Sequence, residues 1–348
     1  MTTTPSHADI RAAVRDNPKM RARDLAQNLG ITEGELVAAH CGETARRITV
    51  EFEKIFPALE AVGEVMALTR NENAVHEKIG VYDRYIAGKH AAMMLGEQID
   101  TRMFPTKWAH GFAVRSGDGD TIKHSLQFFD AQGNAVHKVH ARPATDLDKW
   151  NALVGQLALD DQTPGMVTVA AEVPEETVSD VPLEELRDRW MRMKDTHQFV
   201  TILRKLNVDR LDAIQAIGED FAWQIDKSSV EAMLKLSANE KLPIMCFVGN
   251  QGCIQIHSGP VEAIKTMGPW LNIMDPTFHL HLRTDRIAQV WAVRKPTDKG
   301  HVTSLEAYDA DGEMIIQFFG KRVEGQDERP VWREIMESLP RVDGRKAA

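Results

Sequence analysis

The chain carries one pattern twice. Phe112-Ala113-Val114-Arg115 is answered by Trp291-Ala292-Val293-Arg294, an offset of 179 positions from 112 to 291. At that offset Ser125-Leu126 falls on Ser304-Leu305, Asp130-Ala131 on Asp309-Ala310, and Gly133 on Gly312. Asn71 falls on Asn250 and Gly80 on Gly259, while Trp150 meets Trp332 after a three-residue insertion. Turn glycines and large aromatics are the positions a shared fold would keep. A self-similar sequence restricts the chain to two copies of one architecture.

Read in order, each copy has the same texture. Residues 8–60 show apolar residues at helical spacing (Ile10, Ala13, Val14, then Leu25, Leu29, Leu36, Val37), with Pro57 near the end of the block. From Val62 short apolar runs alternate with turns: Val65–Leu68, Val75, Ala91–Leu95, Gly111–Val114 and Ser125–Phe129, then a turn at Asp130–Gly133. Residues 146–158 return to helix, with Leu147, Trp150, Leu153, Val154 and Leu157 on one face. The second copy predicts helix over 183–237, strands from Ile244–Val248 to Ile315–Phe319, and a closing helix over 330–339. The expected fold is α+β, a tandem repeat in which each half is an antiparallel β-sheet flanked by helices. The boundaries read as 1–160 for the N-terminal repeat, 161–180 for an acidic proline-bearing linker, 181–342 for the C-terminal repeat, and 343–348 for a polar, disordered tail.

Composition narrows the function classes. A length of 348 residues suits two ordinary domains. The net charge of −9 argues against bulk binding of nucleic acid. Three cysteines with no CxxC spacing point to a reducing compartment. No signal-peptide core and no run of 18 apolar residues is visible, so the expectation is a cytoplasmic protein without membrane insertion.

One stretch breaks the symmetry. Asp195-Thr196-His197-Gln198-Phe199 heads the second copy, and Met20 stands where His197 would fall in the first. Residue type alone reads His197 as a helix-capping or surface histidine. Strand alternation places Asp100, Arg102 and Phe104 on one face, which allows an Asp100–Arg102 pair. His279-Leu280-His281 has a spacing that presents two metal ligands, and His137/His140 is a weaker pair, but spacing identifies no third ligand for either. Residues 20–40 read as a helix-turn-helix, which makes a regulator a rival reading; the acidic charge and an equivalent helical block with Asn207 in place of Gly30 weigh against it.

Four segments together resemble a known family: Thr69-Arg70-Asn71-Glu72-Asn73-Ala74-Val75-His76-Glu77, Trp108–Val114, Asp195-Thr196-His197, and Gln317-Phe318-Phe319-Gly320-Lys321-Arg322. They are similar to the hemin-degrading factors, HemS/HmuS/ChuS-like haem-handling proteins of bacterial haem uptake and iron acquisition. The resemblance covers nearly the whole chain. It implies that haem b sits in a cleft beside the C-terminal half, with His197 as axial iron ligand. It also implies a distal Arg102, catalytic through a hydrogen bond to the iron's sixth ligand, with Phe104 walling the same pocket. Pocket and propionate contacts would fall on Lys295, Gln317 and Arg322, while Phe319 replaces an expected tyrosine and removes a hydroxyl. A guanidinium stays charged and donates, so Arg102 suits that role and not ligation.

The implied function is haem binding followed by oxidative degradation that releases iron, with an external reductant. The alternatives are a carrier that traffics haem to a separate oxygenase, and a haem-responsive regulator. Implied partners are haem, the inner-membrane haem importer, and a reductase or haem oxygenase. No stable nucleic-acid partner is expected, and the chain would be a monomer or dimer. A second, weaker haem site on the first repeat, built from His76, His137, His140 or His281, stays open.

Overall fold

The computed structural model describes residues 5–88, 90–170, 181–322 and 326–342, apart from the Asp120 side chain. Much of the 161–180 stretch and the tail from 343 lie outside the described residues. The fold is α+β and the repeat is real in structure: two compact units have matching element orders.

The first unit gathers Met1–Arg70, His76–Glu172 and Gly249–Gln255. It holds helices α1 (His7–Asp16), α2 (Ala22–Leu29), α3 (Glu33–Ala38), α4 (Phe52–Leu59) and α5 (Leu147–Leu157). Its main sheet runs β1-β7-β8-β9-β2, from β1 (Ala45–Ile48), β7 (His110–Ser116), β8 (Lys123–Phe129), β9 (Ala135–Ala141) and β2 (Val65–Arg70). A smaller ladder joins β4 (Tyr85–Ile86), β5 (Ala92–Leu95) and β6 (Asp100–Met103). β3 (Ala74–Gly80) and β12 (Cys253–Gly259) each run across the division of the chain into units.

The second unit gathers Asn71–Val75, Val173–Val248 and Ile256–Ala348. It holds α6 (Leu183–Met191), α7 (Gln198–Leu206), α8 (Arg210–Ala216), α9 (Ser229–Asn239) and α10 (Pro330–Ser338). Its main sheet runs β10-β16-β17-β18-β11, from β10 (Ala222–Ile225), β16 (Gln289–Thr297), β17 (Gly300–Tyr308), β18 (Met314–Gly320) and β11 (Ile244–Gly249). β13 (Ile264–Met267), β14 (Trp270–Met274) and β15 (Phe278–Arg283) form the smaller ladder. These main-sheet and smaller ladders are antiparallel.

Two helical expectations need correction. Residues 8–60 are interrupted by β1, and 183–237 by β10. Both are four-residue strands at the end of a ladder, Ala-Arg-Arg-Ile and Ala-Trp-Gln-Ile, too short to impose a period of two on the sequence. Pairing with β7 and β16 decides their conformation.

The repeated turns show why the matches recur. Asp130 Oδ1 accepts from the backbone N–H of Gln132 (3.0 Å) and Asn134 (2.8 Å), and Asp309 Oδ1 accepts from Asp311 (3.1 Å) and Glu313 (2.9 Å). Gly133 and Gly312 then take φ of 88° and 83°, a left-handed backbone that a Cβ disfavours.

In the second unit the sheet is covered on both faces. Ala292, Leu305, Ala307 and Phe318 pack on α9 and α10 through Met233, Leu234, Trp332 and Met336. The alternate residues Val293 and Tyr308 face α6–α8, against Trp190, Phe199, Leu203 and Ile214. Period-two alternation sends Lys295, Ser304, Glu306, Gln317 and Phe319 to this second face as well.

Candidate functional site

His197 occupies the N-cap position of α7, at the end of a short turn. Asp195 builds that turn. Its Oδ1 accepts the His197 backbone N–H at 2.7 Å and faces the ring Nδ1 at 2.7 Å. A carboxylate only accepts, so Nδ1 carries a proton, and in the neutral ring Nε2 presents its lone pair. The side chain is 94% exposed, so that lone pair is available to a ligand from outside the protein. The hydrogen bonds from His197 and the nearby Arg322 charge hold the Asp195 carboxyl below its usual range. Gln198 Oε1 closes the preceding loop by accepting from the N–H of Lys194 (2.8 Å) and Asp195 (3.3 Å). The equivalent residue of the first unit, Met20, is 41% exposed and precedes α2; α2 and α7 end alike, on left-handed Gly30 and Asn207.

Behind α7 lies a buried polar cluster centred on Glu306. Arg210, the first residue of α8, grips its carboxylate with Nε to Oε2 and Nη2 to Oε1, both 2.7 Å. Lys295 Nζ donates to Oε1 at 2.8 Å, Gln317 Nε2 to Oε1 at 2.7 Å, and Tyr308 OH to Oε2 at 2.7 Å. Ser304 Oγ adds a bond to Oε1 at 2.7 Å. The register explains the convergence, since Glu306 sits opposite Gln317 and Ser304 opposite Phe319. Burial works to raise the Glu306 carboxyl, but Arg210 and Lys295 override it and hold it well below its ordinary value. Burial, joined by the Arg210 charge, pulls the Lys295 ammonium down to about 8 against the opposing pull of Glu306. Two cations against one carboxylate leave the cluster with one net positive charge.

Beside this cluster the sheet face turns apolar. Phe319 packs edge-on against Phe247, ring centroids 5.2 Å apart, and Met245 lies opposite Phe319 on β11. All three are half-buried. Arg322 follows β18 and is exposed.

The sequence-predicted residues are therefore distributed as follows. His197, Lys295, Gln317, Phe319 and Arg322 all belong to the second unit. Lys295 is fully buried and Gln317 half-buried, and both donate to Glu306. Arg102 lies on β6 of the first unit, half-buried; its Nη1 is ion-paired with Asp100 and also donates to the Thr101 carbonyl at 3.1 Å. Phe104 follows on the same half-buried face, its N–H bonded to the Gly252 carbonyl at 2.9 Å. Asp195 as the orienting carboxylate, Arg210, Glu306 and Phe247 had no part in the sequence reading. Glu306 was the findable one, a lone acid in the otherwise apolar and small run Val302–Tyr308, in register to meet Gln317.

Other histidine groups resolve differently. His137 is fully buried between Tyr82 OH (2.5 Å to Nε2) and Thr69 Oγ1 (2.8 Å to Nδ1), and burial pushes it down to about 3. His281 Nδ1 meets Asn272 Oδ1 at 2.6 Å. Among the described residues no group of three or more His, Cys, Asp or Glu could hold a metal ion. The helix-turn-helix shape exists in α2 and α3, yet Glu33, Gly34, Leu36, Val37 and Ala38 of α3 are buried, and Glu33 is ion-paired with Arg70 and Lys138. A helix so enclosed offers no face to a DNA groove. Cys41, Cys246 and Cys253 are buried free thiols. No helix among the described residues is long and apolar enough to cross a membrane.

Comparison with known proteins settles the lineage. The family model for the haemin-degrading HemS/ChuX domain matches twice, over residues 30–157 and 207–339. The chain belongs to that family. A HemS/ChuX relative described as hemin transport protein HemS, from Yersinia enterocolitica, is 40% identical over 332 residues, covering 95% of this chain and 96% of the relative. The holo form of PhuS, a heme-binding protein from Pseudomonas aeruginosa, superposes with a TM-score of 0.94 at 39% identity, covering 97% of this chain and 100% of PhuS. ChuS, described as an E. coli heme oxygenase, gives a TM-score of 0.83 at 38% identity, covering 92% of this chain and 96% of ChuS.

Proposed function

We propose that this HemS/ChuX-family chain is a cytoplasmic haem-binding protein of bacterial haem utilisation, with His197 as axial iron ligand, and that it degrades haem oxidatively with dioxygen as oxidant and electrons from an external reductant. The observation that carries the reading is the outward Nε2 of His197, with Nδ1 held by Asp195. A carboxylate on the second ring nitrogen is the arrangement that fixes the tautomer and orientation of metal-bound histidines. Haem also needs an apolar wall and cations for two propionates. Met245, Phe247 and Phe319 supply an apolar sheet face in the same unit, and Arg322 and the net positive Glu306 cluster supply charge. Arg102 is assigned the distal hydrogen bond and Phe104 the wall beside it. For that role Arg102 Nη1 must share its hydrogen bonds with Asp100 or give them up. The haem importer and a reductase are the partners this chemistry calls for.

The test loads the protein with ferric haem, adds reductant and catalase, and follows the Soret band. Decay of the band with release of iron is expected. A band that survives reduction and moves intact to an added haem oxygenase would replace the enzyme with a carrier. His197→Ala should weaken ferric haem binding or change its spectrum, while Met20→Ala should leave both alone. An unchanged spectrum for His197→Ala refutes the ligand assignment.

A further inference from the structure

We infer that Glu306 is a positioning residue for His197, acting through Arg210, Lys295 and the ring of Phe199; the inference rests on the haem reading above. His197 is 94% exposed, and α7 begins without a side-chain cap bond. Asp195 fixes the ring relative to its own turn, and the placement of that turn depends on the first turn of α7. The first buried residue of that turn is Phe199, 1% exposed. Its ring lies 4.9 Å from the Arg210 guanidinium carbon and 4.9 Å from Lys295 Nζ, and packs edge-on against Trp190 at 4.7 Å. Cations at that distance are attracted to an aromatic face. Both cations are held by one carboxylate, Glu306, which is itself fixed by Tyr308, Ser304 and Gln317.

The repeat provides an internal control. At the offset of 179 positions Gln127 stands for Glu306 and Ser116 for Lys295. Glu33, the first residue of α3, stands for Arg210, the first residue of α8. The first unit thus lacks this cluster, and it is also the unit with Met20 in place of His197. A buried ionic cluster is a weak way to gain stability compared with apolar packing, but it fixes geometry closely. The first unit has a buried ionic cluster of its own, Glu33 with Arg70 and Lys138, but there Ala22 stands for Phe199, so no ring at that position couples that cluster to the helix start beside Met20.

The experiment uses the full chain and ferric haem as the probe. In the haem-free protein, Glu306→Gln is expected to shift or broaden the His197 Cε1–H resonance. With haem it should turn a single spin-state spectrum into a mixture. The charge-balanced double variant Glu306→Gln/Lys295→Met should recover melting temperature while the His197 resonance stays displaced. Recovery of the parent resonance together with stability would mean a merely structural role and overturn the inference. So would a folded Glu306→Gln variant with parent resonance and spectrum. If Glu306→Gln does not fold, Phe199→Leu keeps apolar bulk, removes the ring and is judged by the same two readouts. Failure of the haem reading shows separately, as an unchanged ferric spectrum in His197→Ala.

Discussion

Removing the Asp195 carboxylate gives the most direct measure of how His197 is prepared. In Asp195→Ala the ring loses the 2.7 Å contact at Nδ1, and the backbone N–H of His197 loses its acceptor. The imidazole is then free to rotate about χ2 and to populate the tautomer that carries its proton on Nε2. A hydrogen bond to a charged group is worth about 1.5–3 kcal/mol when shielded. Here the side chains are 94% and 60% exposed, so solvent leaves roughly a third of that, about 0.5–1 kcal/mol. The expected loss of ferric haem affinity is about two- to fivefold, rising toward tenfold if bound haem shields the pair. Titration followed by absorbance measures the affinity, and nitrogen-15 shifts of the ring report the tautomer. An affinity equal to the parent's, with His197→Ala strongly impaired, would refute the claim that Asp195 orients the ligand.

The remaining expectations concern chemistry and pH. Arg102→Ala should change the ferric spectrum or slow loss of the Soret band with a smaller effect on affinity than His197→Ala; identical spectra and decay rates would remove Arg102 from the site. Glu33 is driven upward by burial but pulled down by Lys138 and Arg70, to about 2 from 4.5. A depressed carboxyl stabilises the fold above its unfolded value, and the contribution is lost as pH falls from about 4.5 through about 2, at most on the order of 3 kcal/mol. Glu33→Gln should flatten that part of the melting-temperature profile, and a profile as steep as the parent's would count against it. His137 and His140 are pushed by burial to about 3 and about 4, so they stay neutral while the unfolded chain takes up protons below about 6.5. Melting temperature should therefore fall as pH drops from 6.5 toward 4, and His137→Gln should reduce the slope.

The fold was legible because its signals are local. Asx turns at Asp130 and Asp309 and large buried aromatics at Trp150 and Trp332 announce themselves in the sequence and set the repeat. β1 and β10 escaped because four residues carry too little pattern against a helical background. The site was legible in its exposed members and hidden in its buried ones. His197 stands out as the asymmetry between copies. Lys295 looks from the sequence like a surface cation, and only register shows it turned inward onto Glu306. Arg210 gives no warning, because its partner lies 96 positions away. Long-range ion pairs leave no periodic trace.

Asn71 and Asn250 each fold a tight loop by accepting from the N–H groups two and three residues on, between 2.9 and 3.0 Å. Yet residues 71–75 complete the second unit, where Asn71 Nδ2 reaches the Ile315 carbonyl at 2.7 Å. Residues 249–255 complete the first, where Gln255 accepts from Thr69 at 2.9 Å and the Gly252 carbonyl from Trp108 at 2.8 Å. The gene is therefore not two interchangeable cassettes. A fragment ending before residue 180 would lose Gln255 and the Gly252 carbonyl, which accept from Thr69 and the Trp108 indole, and a fragment beginning there would lack residues 71–75. Each copy has become the other's last piece, which ties the survival of the plain copy to that of the one bearing the histidine.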